Sequence, residues 1–208
     1  MGCGSSSELV MPPSTRAKRI YSYAVDDSTQ RVHEVLRMRP TEPELEPIDM
    51  KLLRAAINGY LPEVKFVVEN NALTNELSDA LICAANAGHL DVVEYLCEHG
   101  ANTGLIRERD TTALMTAAEH GRIKIVQYLV VDDRIGPSKN TAILGMTPLH
   151  VAASAGSSAV FATLMQHGAD IDAIAASGDD VMKFALDGGD REMVATIKHL
   201  QQTRNTLY

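Results

Sequence analysis

The chain has 208 residues, of which 45% are apolar and 22% are charged, enough for one domain with a continuous core. Its formal net charge is −8 at pH 7, and residues 41–208 carry the whole acidic excess. Nucleic acid and anionic lipid would repel this acidic body, so we expect no nucleic-acid partner.

The first residues match a lipidation pattern. In Met1-Gly2-Cys3-Gly4-Ser5-Ser6, Gly2 becomes the N-terminus once Met1 is removed, Ser6 occupies the Ser/Thr position, and Cys3 is placed for palmitoylation. One myristoyl chain binds a membrane only marginally, so stable anchoring needs a second signal. The candidates are Cys3 and the basic residues Arg16, Lys18 and Arg19. The pattern predicts a flexible acylated arm over residues 1–16; the alternative is an unmodified Gly/Ser tail.

Residues 17–47 carry the spacing of a helical unit. Ile20, Ala24, Val32 and Val35 have the offsets that apolar residues show in the segments downstream, and Asp27 takes the place of a glycine. We therefore predict that residues 18–39 are a degenerate first unit, whose charged outer face caps a stack. An unrelated amphipathic helix is the alternative.

Five further segments share one pattern, a small apolar pair, two residues and then glycine. These segments are 48–76, 77–109, 110–144, 145–177 and 178–200, and their glycines are Gly59, Gly88, Gly121, Gly156 and Gly189, spaced 29, 33, 35 and 33 residues apart. An apolar residue precedes each glycine by seven positions, and others follow five and eight residues after it. Each segment thus predicts helix, tight turn and helix, with the glycine at positive φ. Such periods indicate a stack of supersecondary units.

The fifth unit carries a specific signature. Gly145-Met146-Thr147-Pro148-Leu149-His150-Val151-Ala152-Ala153 resembles the Thr-Pro-Leu-His motif of the ankyrin repeat, and residues 112–115 are a near copy. The resemblance covers residues 48–200 approximately. It implies an all-α ankyrin-repeat solenoid of about six stacked helix-turn-helix units with degenerate terminal caps, over residues 17–200, and a C-terminal tail over 201–208. It also implies that His150 makes structural hydrogen bonds.

Three departures from the ankyrin pattern affect the fingers, the connections between the second helix of one unit and the first helix of the next. The connection over residues 71–78 is four residues shorter than the family's, which predicts a truncated finger. The connection over residues 132–144 is two residues longer and contains Gly136-Pro137, which predicts a finger that projects further. In the last unit, residues 180–183 replace the motif with polar residues that suit a C-terminal cap.

Enzymatic and metal-binding motifs are missing from the sequence. It contains no phosphate loop, nucleophile elbow or His-Glu-x-x-His motif, and Cys97 with His99 lacks the further ligands that zinc requires. Asp170, Asp172 and the 187–190 stretch lack calcium-loop spacing. We therefore expect no enzyme activity, no catalytic residue, no cofactor and no metal. No apolar run approaches the ~18 residues of a spanning helix, and the three cysteines give no disulfide framework, consistent with a reducing compartment.

Function is then expected from the surface. The ankyrin resemblance implies a concave face, formed by first helices and finger tips, that binds other proteins. The exposed candidates are Asp79, Arg107, Glu108, Arg109, Asp110, Arg134 and Lys139, with Asp79 and Asp110 expected at first-helix starts.

The leading hypothesis is a monomeric, non-catalytic protein-binding scaffold or adaptor. Acyl chains and basic residues of the arm would tether it to the cytoplasmic face of a membrane, with the plasma membrane favoured. The alternative is a soluble stoichiometric ankyrin-type inhibitor or regulator of a partner enzyme, with an incidental N-terminal motif.

Overall fold

The structure is a computed structural model that describes residues 48–70, 74–104, 112–131 and 145–205. The predicted arm, the first unit and both departing fingers lie wholly or partly outside the described residues. The described residues form helices without a β-strand, which confirms the all-α prediction. The helices are α1 Ile48–Asn58, α2 Leu61–Glu69, α3 Thr74–Ala87, α4 Leu90–Glu98, α5 Ala113–Glu119, α6 Ile123–Val131, α7 Pro148–Ser154, α8 Ser158–Gln166, α9 Val181–Gly188 and α10 Arg191–Asn205.

The ten described helices form five successive pairs arranged in two layers. Within each pair the two helices pack together, and each first helix also packs on the next, from α1 through α3, α5 and α7 to α9. The second helices α2, α4, α6 and α8 form a parallel series with looser packing. Paired alanines on the first helices explain the difference, because a small side chain allows close approach of two helix backbones. The first-helix layer is therefore the inner layer of the stack.

The repeated apolar positions form a continuous core along the stack. Both members of the small pair are fully buried in the first four described units, at Ala55-Ala56, Ala84-Ala85, Ala117-Ala118 and Ala152-Ala153. The apolar residues five and eight positions after each turn glycine are buried as well, except for Val194, which is partly buried. The apolar pattern in the sequence therefore identifies the core positions.

The turn glycines adopt the predicted left-handed conformation. Their φ angles are 71° at Gly59, 97° at Gly88, 64° at Gly121, 67° at Gly156 and 77° at Gly189. A residue with a Cβ is strained there, so glycine is the residue that allows the first helix to end and the chain to reverse.

The residue after each turn glycine joins neighbouring units. His89 lies over Gly59, where a Cβ would be 2.4 Å from its Nδ1 atom, and its Nε2 atom is 3.0 Å from the Ile57 carbonyl oxygen. In the next unit, Arg122 lies over Gly88 and donates from Nε to the Asn86 carbonyl oxygen at 3.1 Å. The acceptor is in both cases two residues before the glycine, where a first helix ends. These bonds satisfy helix-end carbonyls that have no partner within the helix.

Two helix boundaries differ from the sequence prediction. Helix α3 begins at Thr74, three residues before the predicted unit boundary, and Leu77 and Ser78 are buried in its second turn. The shortened connection explains this, because residues that would otherwise form a finger extend the helix. At the other end α10 continues to Asn205, five residues past the predicted end of the repeats, since Gln201–Asn205 contains no glycine or proline to stop it.

Candidate partner-binding surface

Among the described first helices, accessible polar side chains occur along three, whereas the other two carry them only at their last residues, Glu119 and Ser154. In α5 the side chains Ala113–Ala118 are all buried, and in α7 so are Pro148–Ala153. Helices α1, α3 and α9, in contrast, expose or partly expose polar side chains along their length. Those polar side chains are Asp49, Lys51, Arg54, Asn58, Asn75, Glu76, Asp79, Asn86, Lys183 and Asp187. Along the described inner layer, these residues and the helix ends are therefore the side chains that a partner could contact.

Asp79 is the one predicted partner-binding residue within the described ranges. It is partly exposed on α3, but it lies in the helix interior and not at the helix start, because α3 begins at Thr74. In the later units the corresponding residues are Thr112, Thr147 and Asp180, and each is an N-cap. The prediction of Asp79 as a helix-start residue is thus wrong, although its accessibility is retained. Arg107, Glu108, Arg109, Asp110, Arg134 and Lys139 lie outside the described residues.

The α1–α3 part of the inner layer includes charges that sequence reasoning missed. Arg54 on α1 donates from Nη2 to Glu63 Oε1 of α2 at 3.2 Å, and both side chains remain about one third exposed, at 29% and 37%. An exposed ion pair of this kind contributes at most about 1 kcal/mol to stability. Their signal in the sequence is a repeat position: Arg54 stands five residues before its turn glycine, where the other units have Cys83, Thr116, Val151 and Phe184.

The signature histidine is structural, as predicted. His150 is fully buried, and its Nδ1 atom accepts a hydrogen bond from the Thr147 backbone N–H at 3.1 Å and lies 2.9 Å from the Thr147 hydroxyl oxygen. This capping box fixes the start of α7 and places the remaining ring proton on Nε2. Burial lowers the pKa of His150, while the backbone of Ala173 and Asp179 and the charge of Asp180 act in the opposite direction. With no accessible surface, His150 cannot reach a substrate.

A cationic and aromatic cluster lies on the second-helix layer. Lys65 Nζ of α2 is 5.4 Å from the ring centroid of Tyr95 on α4. The His99 ring stacks on the Tyr95 ring, with 3.9 Å between the two ring centroids. Burial of Tyr95, and secondly the negative charge of Glu69, raise its pKa. The Lys65–Tyr95 contact joins α2 to α4. Because its pKa is raised, Tyr95 stays protonated at neutral pH.

The described residues offer no metal centre and no membrane span. Among them, His, Cys, Asp and Glu nowhere gather in groups of three that could hold a metal ion. No helix in the described ranges is both long enough and apolar enough to cross a bilayer. Cys83 and Cys97 lie on α3 and α4, at the predicted helical positions.

Comparison with known families identifies the repeats. Residues 52–142 match the family model described as ankyrin repeats (3 copies), and residues 144–176 match the model described as ankyrin repeat. Together the two matches cover more than half of the chain.

Curated relatives match part of this chain. A probable E3 ubiquitin-protein ligase, XBOS33, of Oryza sativa subsp. japonica is 35% identical over 112 residues, which cover 51% of this chain and 21% of that protein. The ankyrin repeat and KH domain-containing protein mask-1 of Caenorhabditis elegans is 32% identical over 124 residues, covering 57% of this chain and 4% of that protein. Palmitoyltransferase AKR1 of Lachancea kluyveri is 26% identical over 173 residues, covering 64% and 24%. The chain thus spans less than a quarter of the length of each of these relatives.

Proposed function

The chain belongs to the ankyrin-repeat family, and from this premise we propose that it is a non-catalytic adaptor, tethered to the cytoplasmic face of a membrane by N-terminal acylation. Ankyrin repeats are protein-interaction scaffolds, and as domains they are generally binding modules without catalysis. The relatives named above have different names, two of which state an activity, and the matched part is less than a quarter of each of them. The observation that carries the scaffold is this stack, whose inner layer offers charged side chains at α1, α3 and α9.

The membrane tether is supported by the N-terminal motif. Gly2 and Ser6 have the positions that myristoylation requires, and Cys3 supplies the adjacent palmitoylation site. A lone myristoyl chain binds membranes with a K of about 10⁴ M⁻¹, so the second chain decides whether the protein stays bound. Arg16, Lys18 and Arg19 would add an attraction to anionic lipid of about 1 kcal/mol per charge at most. The tether acts by local concentration, since confinement on one surface raises the encounter frequency with other membrane-bound proteins.

Fractionation of cells that express N-terminal variants tests the tether. We expect wild-type protein in the membrane fraction with an acylated N-terminal peptide by mass spectrometry, and Gly2→Ala protein in the soluble fraction. Gly4→Ala is the matched control, because it changes the same arm and leaves Gly2 and Cys3 in place. Cys3→Ser should give an intermediate distribution over several membranes. Wild-type protein that is soluble and unacylated would overturn the tether and favour the soluble inhibitor.

Charge reversal on the two helix layers tests the binding surface. Asp79→Lys alters the inner layer at α3, whereas Glu94→Lys makes the same change on α4 in the outer layer. With circular dichroism showing that both variants fold, a partner captured by wild-type protein should be lost from Asp79→Lys and retained by Glu94→Lys. Loss from Glu94→Lys alone would assign recognition to the outer layer and contradict the proposal.

A further inference from the structure

The last finger, residues 167–180, connects α8 to α9 and is the one finger that the structure describes in full. Its tip is apolar, because residues 173–178 are Ala-Ile-Ala-Ala-Ser-Gly and include no charged side chain. Ile174 is 66% exposed there, and Ala176 is exposed as well. Single exposed apolar side chains are common on protein surfaces, so exposure alone gives Ile174 no role. The way the tip is held and the charges beside it do.

Backbone hydrogen bonds and buried neighbours hold the tip in one conformation. The Gly178 N–H donates to the Ala175 carbonyl oxygen at 2.9 Å and closes a tight turn. The Ala175 N–H donates to the Asp179 carbonyl oxygen, also at 2.9 Å. Ile171 and Ala175, on either side of Ile174 in the sequence, are buried. A side chain on a preorganised turn loses little conformational freedom when a partner binds it, so Ile174 is suited to be an anchor.

The tip lies beside the accessible inner layer of the last unit. Ile174 and Asp180 form an isolated antiparallel bridge, so their side chains share one face of the finger. Asp180 is the N-cap of α9, the first helix on which Lys183 is exposed and Asp187 partly exposed. Lys183 Nζ donates to Asp187 Oδ1 at 2.6 Å, which pairs these two charges with each other. Ile174 therefore adds an apolar contact to the α9 part of the inner layer.

Acidic side chains flank the apolar tip on both sides. The finger contains no lysine or arginine and four aspartates, which are Asp170, Asp172, Asp179 and Asp180. All four are exposed or partly exposed. An apolar centre within a charged rim is the usual anatomy of a protein-binding site, and a negative rim favours a positively charged partner. The complementary ligand is thus a protein segment that presents an apolar side chain between basic ones.

We propose that Ile174 is the anchor at which this scaffold binds a protein segment with an apolar side chain flanked by lysines or arginines. The inference rests on the proposed scaffold function and names the class of its partner. Contact with Ile174 selects the apolar residue, and the aspartates of the finger select its basic neighbours. Anionic lipid and nucleic acid do not fit this surface, because the four aspartates repel both.

An NMR titration of the full-length chain with isotope-labelled isoleucine methyl groups tests the anchor. The probe is a peptide with a central leucine between two pairs of lysines, and matched peptides replace the leucine by glycine or the lysines by glutamates. The first peptide should shift the methyl signal of Ile174 and not that of Ile123, which is 38% exposed on α6 in the outer layer. The glycine peptide should bind about fivefold more weakly or worse, and the glutamate peptide should not bind. No shift at Ile174, or an equal shift at Ile123, would overturn the proposal.

Substitution of the anchor separates the apolar contact from the charges. Ile174→Ser should lower the affinity for the leucine peptide about fivefold and leave that for the glycine peptide unchanged. Val131→Ser is the matched control, because Val131 is similarly exposed, at 62%, but lies on α6 in the outer layer. It should change neither affinity. A preference for leucine that survives in Ile174→Ser, or that is lost equally in Val131→Ser, would show that Ile174 is not the anchor.

Neutralisation of the rim tests the basic part of the ligand. Asp170→Asn combined with Asp172→Asn should weaken binding of both lysine peptides and reduce its dependence on salt. The amide at 170 retains a side-chain oxygen that can accept from the backbone N–H of residue 172, as Asp170 does at 3.0 Å. Glu94→Gln combined with Glu98→Gln removes two charges from α4 in the outer layer and is the control. Equal weakening by the two double variants would reduce the effect to net charge and contradict recognition at the finger.

The outcome is distinguishable from that of the scaffold test. A partner that is lost from Asp79→Lys and retained by Ile174→Ser would leave the scaffold in place and remove the anchor from the last finger. Loss of that partner from Ile174→Ser, with retention by Val131→Ser, would support the anchor. The peptide titrations do not depend on acylation, so a failure of the membrane tether leaves them unaffected.

Discussion

Two glycines at the same repeat position allow the strain of a left-handed backbone to be separated from the close approach of two backbone segments. Gly145 and Gly178 are 33 residues apart, each at the start of a unit, with φ angles of 72° and 85°. A Cβ on Gly145 would lie 2.0 Å from the backbone nitrogen of Ala176 and 2.6 Å from the carbonyl carbon of Ala175. A Cβ on Gly178 would have no atom within 4 Å. We therefore predict that Gly145→Ala destabilises the protein far more than Gly178→Ala.

The magnitudes follow from terms that the two variants share and one that they do not. Left-handed backbone costs alanine about 1–2 kcal/mol at both positions, and the reduced entropy of the unfolded chain returns about 0.4–1 kcal/mol at both. Gly178→Ala should thus lose between about 0 and 1.6 kcal/mol in the free energy of unfolding. At Gly145 the clash is with backbone that is held by the neighbouring unit, and overpacking of this kind adds about 1–3 kcal/mol.

Urea unfolding followed by circular dichroism measures the difference. For an m-value of about 2 kcal/mol/M, the midpoint of Gly145→Ala should lie about 0.5–1.5 M below that of Gly178→Ala. Equal midpoints for the two variants would refute the close approach of the 145 and 175–176 backbones and leave only the shared backbone strain.

Two further predictions concern histidines. Burial lowers the pKa of His150, so only the unfolded chain binds a proton at this residue as the pH falls below about 6.5, and stability should drop by up to about 1.4 kcal/mol per pH unit from there until the folded-state pKa is reached. Urea midpoints measured between pH 7.5 and 5 check this, and an equally steep fall in His150→Gln would assign the acid sensitivity to other groups. His89→Ala removes the bond to the Ile57 carbonyl and should cost about 1 kcal/mol in thermal or urea unfolding. His120→Ala is its control, because His120 is exposed and bonds the Thr116 carbonyl oxygen of its own helix end; a loss no greater for His89→Ala would show that the bond between units adds no stability.

The sequence identifies the turns and the core well because both are local requirements. A positive φ is a property of one residue, and glycine meets it without a steric penalty, so each of the five repeated glycines marks a real turn. Burial of the alanine pairs follows from helical spacing in the same way, since the positions that face the neighbouring helix recur with every unit.

The start of α3 could not be predicted because a helix start depends on what precedes it. Asp79 stands where Thr112, Thr147 and Asp180 cap their helices, and its side chain is a good capping group. In the other units a finger delivers the chain to this residue from outside the helix. Without that finger, helical backbone continues upstream through Leu77, which is buried, and Asp79 becomes a side chain on the helix flank.

The candidate surface was predictable only in part, since accessibility is set by stacking. In a first helix in the middle of the stack, such as α5 or α7, packing buries all of the central side chains, including polar ones such as Thr116 and His150. Lys51 and Arg54 on α1 are partly exposed. Sequence reasoning placed the site on finger charges, and apart from Asp79 those residues lie outside the described ranges.

The second position of the small pair differs in residue type and exposure between the inner units and the last unit. The second member of the small pair is an alanine with 0% exposure in four units, at Ala56, Ala85, Ala118 and Ala153, because the next first helix lies against it. In the last unit the same position is Leu186, 54% exposed, with no described unit beyond it. A side chain larger than alanine is therefore compatible with the repeat only where no neighbour lies against it. The same condition applies to charge, since Asp79, Arg54 and Lys183 occupy positions where the buried units carry Thr, Val, Met or His. In these cases a residue that departs from the repeat pattern keeps an exposed or partly exposed side chain.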